Sequence, residues 1–168
     1  QLGNLIKCNP AIKAKNHREA LWKALLDDRL DIIATDHAPH TWDEKQKPYV
    51  DAPAGLPLVQ HSLYVLLEAY KEGRISLEKI VEKACHAPAI CFDVEKRGYI
   101  NEGFFADAVL VDLSRNYTVS KENILYKCGW SPFEGHTFPA YIEKTIVNGN
   151  IVYDNGVFDE SIKGRRLS

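Results

Sequence analysis

The sequence predicts an α/β chain, in which strand–helix steps are followed by a β-rich tail. Three observations predict it. Residues 2–36 run as segment, helix and strand, the order of one βαβ step. The strand around Ile32 and Ile33 turns polar at once, into Thr35-Asp36-His37-Ala38-Pro39-His40. Beyond Gly98 the apolar period drops from the helical 3.6 to the strand period of 2. A carboxylate and two imidazoles at the point where a core strand opens into a loop mark the candidate site. In barrels of alternating strands and helices, such strand ends carry the chemistry. On local pattern alone, a surface turn with incidental histidines is the competing reading.

Leu2 to Cys8 leans apolar and stops at the turn signal Asn9-Pro10, so it reads as the first short strand. From His17 to Leu30, Ala20, Leu21, Ala24 and Leu25 form a helical stripe, which Asp27, Asp28 and Arg29 break. β-Branched Ile32 and Ile33 suit a buried strand, and Pro39 ends it. The polar stretch from Thr41 to Pro53, with Lys45, Lys47, Pro48 and Asp51, is too long for a minimal connection. A long loop in a compact domain is usually functional or disordered, and this one is expected over the mouth of the site. Leu58, Ser62, Val65, Leu66 and Ala69 predict a helix ending at Gly73, with His61 as a partly buried structural histidine. Ser76 reads as an N-cap, with Lys79 where a capping-box acid would sit; Leu77, Ile80, Val81 and Ala84 make the next helical face. His86-Ala87-Pro88-Ala89 opens a short helix through Cys91-Phe92. In the tail, Gly98–Gly103 and Ala106–Asp112 each predict a strand, and Lys144–Tyr153 a hairpin turning at Asn148-Gly149.

The 168 residues suffice for one ordinary domain with a core, and 45% hydrophobic with 26% charged residues is ordinary globular material. A net charge of −2, scattered along the chain, gives no footprint for nucleic acid or an acidic membrane surface. No apolar run reaches the length of a membrane span, and no secretory signal is visible. Cys8, Cys85, Cys91 and Cys128 contain no Cys-x-x-Cys pair and read as free thiols of a reducing cytoplasm. The absence of any methionine, even at the start, suggests a fragment of a longer chain.

Thr35-Asp36-His37-Ala38-Pro39-His40 resembles the Asp-x-Ala-Pro-His signature of dihydroorotases, in the amidohydrolase superfamily. Pro53-Ala54-Gly55-Leu56 resembles that family's substrate-contacting loop, and Lys7-Cys8-Asn9-Pro10 its Asn-Pro motif. Pro10-Ala11-Ile12-Lys13 departs from the family's usual Pro-Pro-Leu-Arg. The resemblance implies the C-terminal part of a (β/α)8 TIM-type metal-dependent hydrolase barrel plus strands of a small β-sandwich subdomain. Residues 1–97 would be the last βα units and C-terminal helices of the barrel, and residues 98–168 the sandwich tail and an extension. It implies a small-molecule substrate, dihydroorotate or N-carbamoyl-aspartate, with no nucleic acid and no membrane, and leaves a homodimer open.

Hydrolysis of a ring amide needs an activated water and a proton for the leaving nitrogen, and a carboxylate beside that water can move the proton. A divalent metal lowers the pKa of the water and polarises the carbonyl. The resemblance makes Asp36 both this catalytic carboxylate and a ligand of a two-zinc centre. Asn9 and His40 can donate hydrogen bonds to a substrate carboxylate, and the backbone around Ala54 and Gly55 can read the ring edge. Without the resemblance, Asn9 is simply a turn residue. His37 reads as supporting rather than ligating, and Ser131-Pro132-Phe133-Glu134-Gly135 as a run that pins the tail to the barrel, with Trp130 and Phe133 as packing residues. No His-x-His pair occurs, and His17, His61, His86 and His136 do not match the family's other metal ligands. This chain therefore supplies one ligand and is expected to be inactive alone. Two alternatives stay open: another cyclic amidohydrolase, of hydantoinase, dihydropyrimidinase or allantoinase type, and a metal-free dihydroorotase-like scaffold subunit. A free-standing α/β binding domain has little support, because half a barrel leaves open edges.

Overall fold

The computed structural model describes residues 2–167. It is mixed α/β, with the helices in the first part and the strands in the second. Helix α1 (Lys15–Leu26) buries Leu25 against α3 (Ser62–Lys71). A 3-10 turn at Val59–His61 leads into α3, and Gly73, at φ +71, ends the run. The Ser76 side chain accepts a hydrogen bond from Lys79 N at 3.2 Å and caps α4 (Leu77–Val81). A π-helical turn at Glu82–His86 joins α4 to α5 (Ala87–Cys91). Pro88 follows that turn, and its missing N–H removes one ordinary helical bond there.

Helix α3 is the centre of packing because it has two apolar faces. Leu66 and Ala69 join Leu25, Ile75 and Ile80 in one cluster, flanked by Trp22 and Ile33. Each fully buried aliphatic side chain there contributes roughly 1.5–3 kcal/mol. Tyr64, on the other face, packs with Val119 and Phe138 in a second cluster, bordered by Tyr117 and Phe133. This second cluster fastens the β-rich part to the helices. Strand β1 (Ala108–Asp112) pairs antiparallel with β4 (Tyr141–Val147). The sheet continues through β5 (Asn150–Asp154) to β6 (Val157–Phe158), in the order β1-β4-β5-β6. The short pair β2 (Tyr117–Thr118) and β3 (Thr137–Phe138) stands apart from that sheet.

The hairpin forms where expected. Asn148 and Gly149 have φ of +51 and +80, the primed-turn geometry that matches strand twist. Asn155-Gly156 repeats the device between β5 and β6, at φ +47 and +96. A polar latch holds the hairpin to the end of the helical part. Arg97 pairs with Asp107 and donates to Asn148 Oδ1 at 2.6 Å, and Asp107 accepts from Asn148 N at 2.7 Å.

Three expected elements come out differently. Gly3–Ile6 is a 3-10 turn rather than a strand, with its bonds closed locally, Leu5 N to Leu2 O and Lys7 N to Asn4 O, both 3.0 Å. Gly98–Gly103 forms no strand. Gly98, at φ +81, lies so close to the preceding helix that a Cβ would come within 2.6 Å of Ala89 Cβ. The Ile32–Ile33 segment forms no strand, and the ladder expected there is reduced to one parallel bridge, His37 with Leu56. A strand is defined by its neighbours, and the described residues provide only fragments of them here.

Candidate active site

Residues 31–40 are hung between two backbone hydrogen bonds. Ile33 N donates to Lys83 O and Ala38 N to Leu56 O, both at 3.0 Å. Between these bonds Asp36 is exposed and sits at φ +48, in the left-handed region. Aspartate is one of the few non-glycine residues that tolerate this conformation, and such outliers concentrate at functional positions. His37 is committed elsewhere. Its Nδ1 accepts from Leu58 N at 3.0 Å and from Val59 N at 3.3 Å, so this ring nitrogen is taken up by the backbone that leads into α3.

His40 and the Pro-Ala-Gly loop are brought together. His40 Nε2 lies 3.2 Å from Ala54 O, and Trp130 Nε1 donates to His40 O at 2.7 Å. Gly55 is buried with φ +143, and a Cβ there would meet Ala38 O at 2.5 Å. Only glycine lets the loop lie against the Asp36–His40 backbone. Gly55 N donates to Lys7 O at 2.9 Å, which ties the loop to the segment leading into Asn9. Asn9 is exposed and precedes a cis proline.

The stretch from Thr41 to Pro53 is not a plain loop. Thr41 and Glu44 form a reciprocal capping box that starts a short helix, α2 (Trp42–Lys45). Lys45 is fully buried, and its Nζ donates to Lys7 O at 3.1 Å, Pro53 O at 2.9 Å and Gly55 O at 2.9 Å. Burial, and then the Lys7 ammonium, hold its pKa below the usual lysine value. All three donors are satisfied, which is what a buried ammonium requires. Lys7 Nζ donates in turn to Tyr49 O at 2.6 Å and Ala52 O at 2.5 Å. The stretch is thus strapped down rather than free.

Among the described residues, no three His, Cys, Asp or Glu side chains converge on a position that could hold a metal ion. Asp36 is a single donor, and a four-coordinate zinc site needs more. The residues present therefore do not make a zinc centre by themselves.

Residues 6–152 match the amidohydrolase family. The chain belongs to that family. Dihydroorotase from Halobacterium salinarum is 41% identical over 155 residues, which cover 91% of this chain and 36% of the relative. Dihydroorotase from Pyrococcus furiosus is 34% identical over 163 residues, 97% of this chain and 38% of the relative. The chain thus spans little more than a third of the length of these curated relatives. Among solved structures, the L-hydantoinase (dihydropyrimidinase) from Arthrobacter aurescens superposes with a TM-score of 0.85 at 28% identity, over 94% of this chain and 36% of that one. A D-hydantoinase gives a TM-score of 0.83 at 25% identity, over 93% and 35%. The α/β architecture is therefore part of an amidohydrolase domain.

Within this member of the amidohydrolase family, His40, Ala54 and Gly55 meet, and Asn9 is tied to them through Lys7. In the sequence Lys45 is one polar residue among several in a polar stretch. The Thr41-x-x-Glu44 signal could have revealed the helix that carries it, but not its burial. His61 is more buried than expected, with no exposed surface. Its Nδ1 lies 3.0 Å from Tyr126 Oη and 3.4 Å from Ser131 Oγ, while Nε2 has no partner among the described residues. Burial pulls the imidazole pKa down to about 4. Phe133 packs edge-on against the His61 ring, so the Ser131–Gly135 run holds the tail to the start of α3.

Proposed function

We propose that this chain is the C-terminal part of a dihydroorotase. The reaction is reversible hydrolysis of the cyclic amide of (S)-dihydroorotate to N-carbamoyl-L-aspartate, a step of de novo pyrimidine synthesis in the cytoplasm. The observation that carries the reading is the meeting of His40, in the Asp36–His40 motif, with Ala54 at 3.2 Å. Two sequence motifs meet there, with His40 and Ala54 separated by 14 positions, and the dihydroorotase relatives support the same substrate.

In the ring-opening direction Asp36 takes a proton from the attacking water. The water oxygen bonds to the ring carbonyl carbon, the carbon–nitrogen bond breaks, and Asp36 returns the proton to the departing nitrogen. Ring opening uses the Asp36 carboxylate as the base, and ring closing uses its acid form to return the proton. His40 and Asn9 bind the substrate carboxylate, and Ala54 and Gly55 read the ring edge through their backbone. His40 and Ala54, engaged with each other in the free chain, exchange that contact for substrate. The zinc implied by the resemblance would draw Asp36 from this chain and its other ligands from the rest of a longer protein. Residues 1–97 then complete a barrel and residues 98–168 a small sandwich.

The hydantoinase-type reading is favoured by the solved structures this chain superposes on. The two readings separate on the purified full-length protein. Hydrolysis of dihydroorotate, with hydantoin and dihydrouracil untouched, is the expected result. Turnover of hydantoin alone would overturn it.

A further inference from the structure

Lys45 does more than fill space in a strap. Its three acceptors belong to the two segments proposed to touch substrate. Lys7 O lies just before Asn9, while Pro53 O and Gly55 O flank Ala54. Pro53 O and Gly55 O both accept from the buried ammonium, while Ala54 O, between them, lies 3.2 Å from His40 Nε2. The α2 capping box and Lys7, bonded to Tyr49 O and Ala52 O, fix the remainder of the strap.

We infer that Lys45 is the positioning residue of this site: its ammonium, gripping Pro53 O, Gly55 O and Lys7 O from behind, aims the Ala54 carbonyl and sets the Asn9 segment for substrate. The inference rests on the reading of Asn9, His40 and Ala54 as substrate contacts. The ammonium is suited to this because one compact group bonds three carbonyls that share no regular secondary structure. An apolar side chain of the same length leaves Pro53 O and Gly55 O without this donor and Lys7 O with Gly55 N alone, and the loop turns to satisfy them.

The test uses the full-length protein, with Lys45→Met, Lys45→Gln and His40→Ala assayed on dihydroorotate and N-carbamoyl-aspartate. Misaimed binding groups raise KM with little change in kcat, whereas a partly unfolded sample lowers apparent kcat at constant KM. Lys45→Met should raise KM about tenfold or more and change kcat less than about threefold, since displacement of a binding group by about an ångström is costly. Lys45→Gln, which keeps donors, should fall between Lys45→Met and wild type, and it decides the matter by the same split if Lys45→Met does not fold. Unchanged KM in the lysine variants, with KM raised in His40→Ala, overturns this inference alone. Failure of both lysine variants to fold also overturns it, because Lys45 would then be a folding residue. Unchanged KM in His40→Ala overturns the underlying substrate reading instead.

Discussion

Gly55→Ala puts a single methyl group at the closest approach in the site. The added Cβ would lie 2.5 Å from Ala38 O, 2.7 Å from Ala38 Cβ and 3.1 Å from His40 Cδ2. Those first two separations are about 1 Å inside ordinary van der Waals contact. Overpacking of this kind costs about 1–3 kcal/mol. Holding alanine at φ +143 adds about 1–3 kcal/mol more. The sum, about 2–6 kcal/mol, is a large part of the stability of a typical domain. The chain can lower that cost only by moving the Asp36–His40 backbone away from the loop. Thermal melting and steady-state kinetics on one preparation of the full-length protein should therefore show a lower Tm together with a loss in kcat/KM of about tenfold or more. Adding Ala38→Gly removes one of the two worst contacts and should restore part of the loss, a coupling expected only of residues that touch. Wild-type Tm and kinetics in Gly55→Ala would refute the claim that the loop lies against this backbone.

Asp36→Asn keeps a residue type that tolerates the left-handed backbone, so it isolates chemistry from folding; it should lose about 10²–10⁴-fold in kcat, measured in both directions beside metal content. Near-normal kcat would sink Asp36 as the proton carrier. His40→Ala should weaken substrate binding by about 1.5–3 kcal/mol, the worth of a hydrogen bond to a charged group, with bound zinc unchanged. Loss of zinc would reassign His40 as a metal ligand. His61 titrates at about 4 in the folded chain against about 6.5 when unfolded, so the unfolded state holds the extra proton between those values. Stability should then be full above pH 6.5 and fall by up to about 3 kcal/mol toward pH 4, and urea melts of His61→Phe should show a flatter acid limb than wild type. Parallel curves for the two proteins would exclude this source of acid sensitivity.

The sequence by itself determined the features whose causes are local. Asn148-Gly149 makes the hairpin because only such residues adopt its positive φ angles, and Ser76 starts α4 because its hydroxyl accepts from a backbone N–H three residues on. The Asp36–His40 and Pro53–Gly55 motifs were legible for the same reason, as residue types at fixed spacing. Asn155-Gly156 carried an equally local signal that was passed over. Tertiary structure alone decided the rest. Ile32 and Ile33 have strand character, yet pairing needs neighbours, and here only His37 finds one. Lys45 sits in a polar run that predicts exposure, and it is buried because three carbonyls from distant positions point at one place. His61 is fully enclosed because Tyr126, Ser131 and Phe133 close over it from the far end of the chain. Burial of a polar group depends on where its partners are, and that information is held by the fold and not by the residue's own neighbourhood.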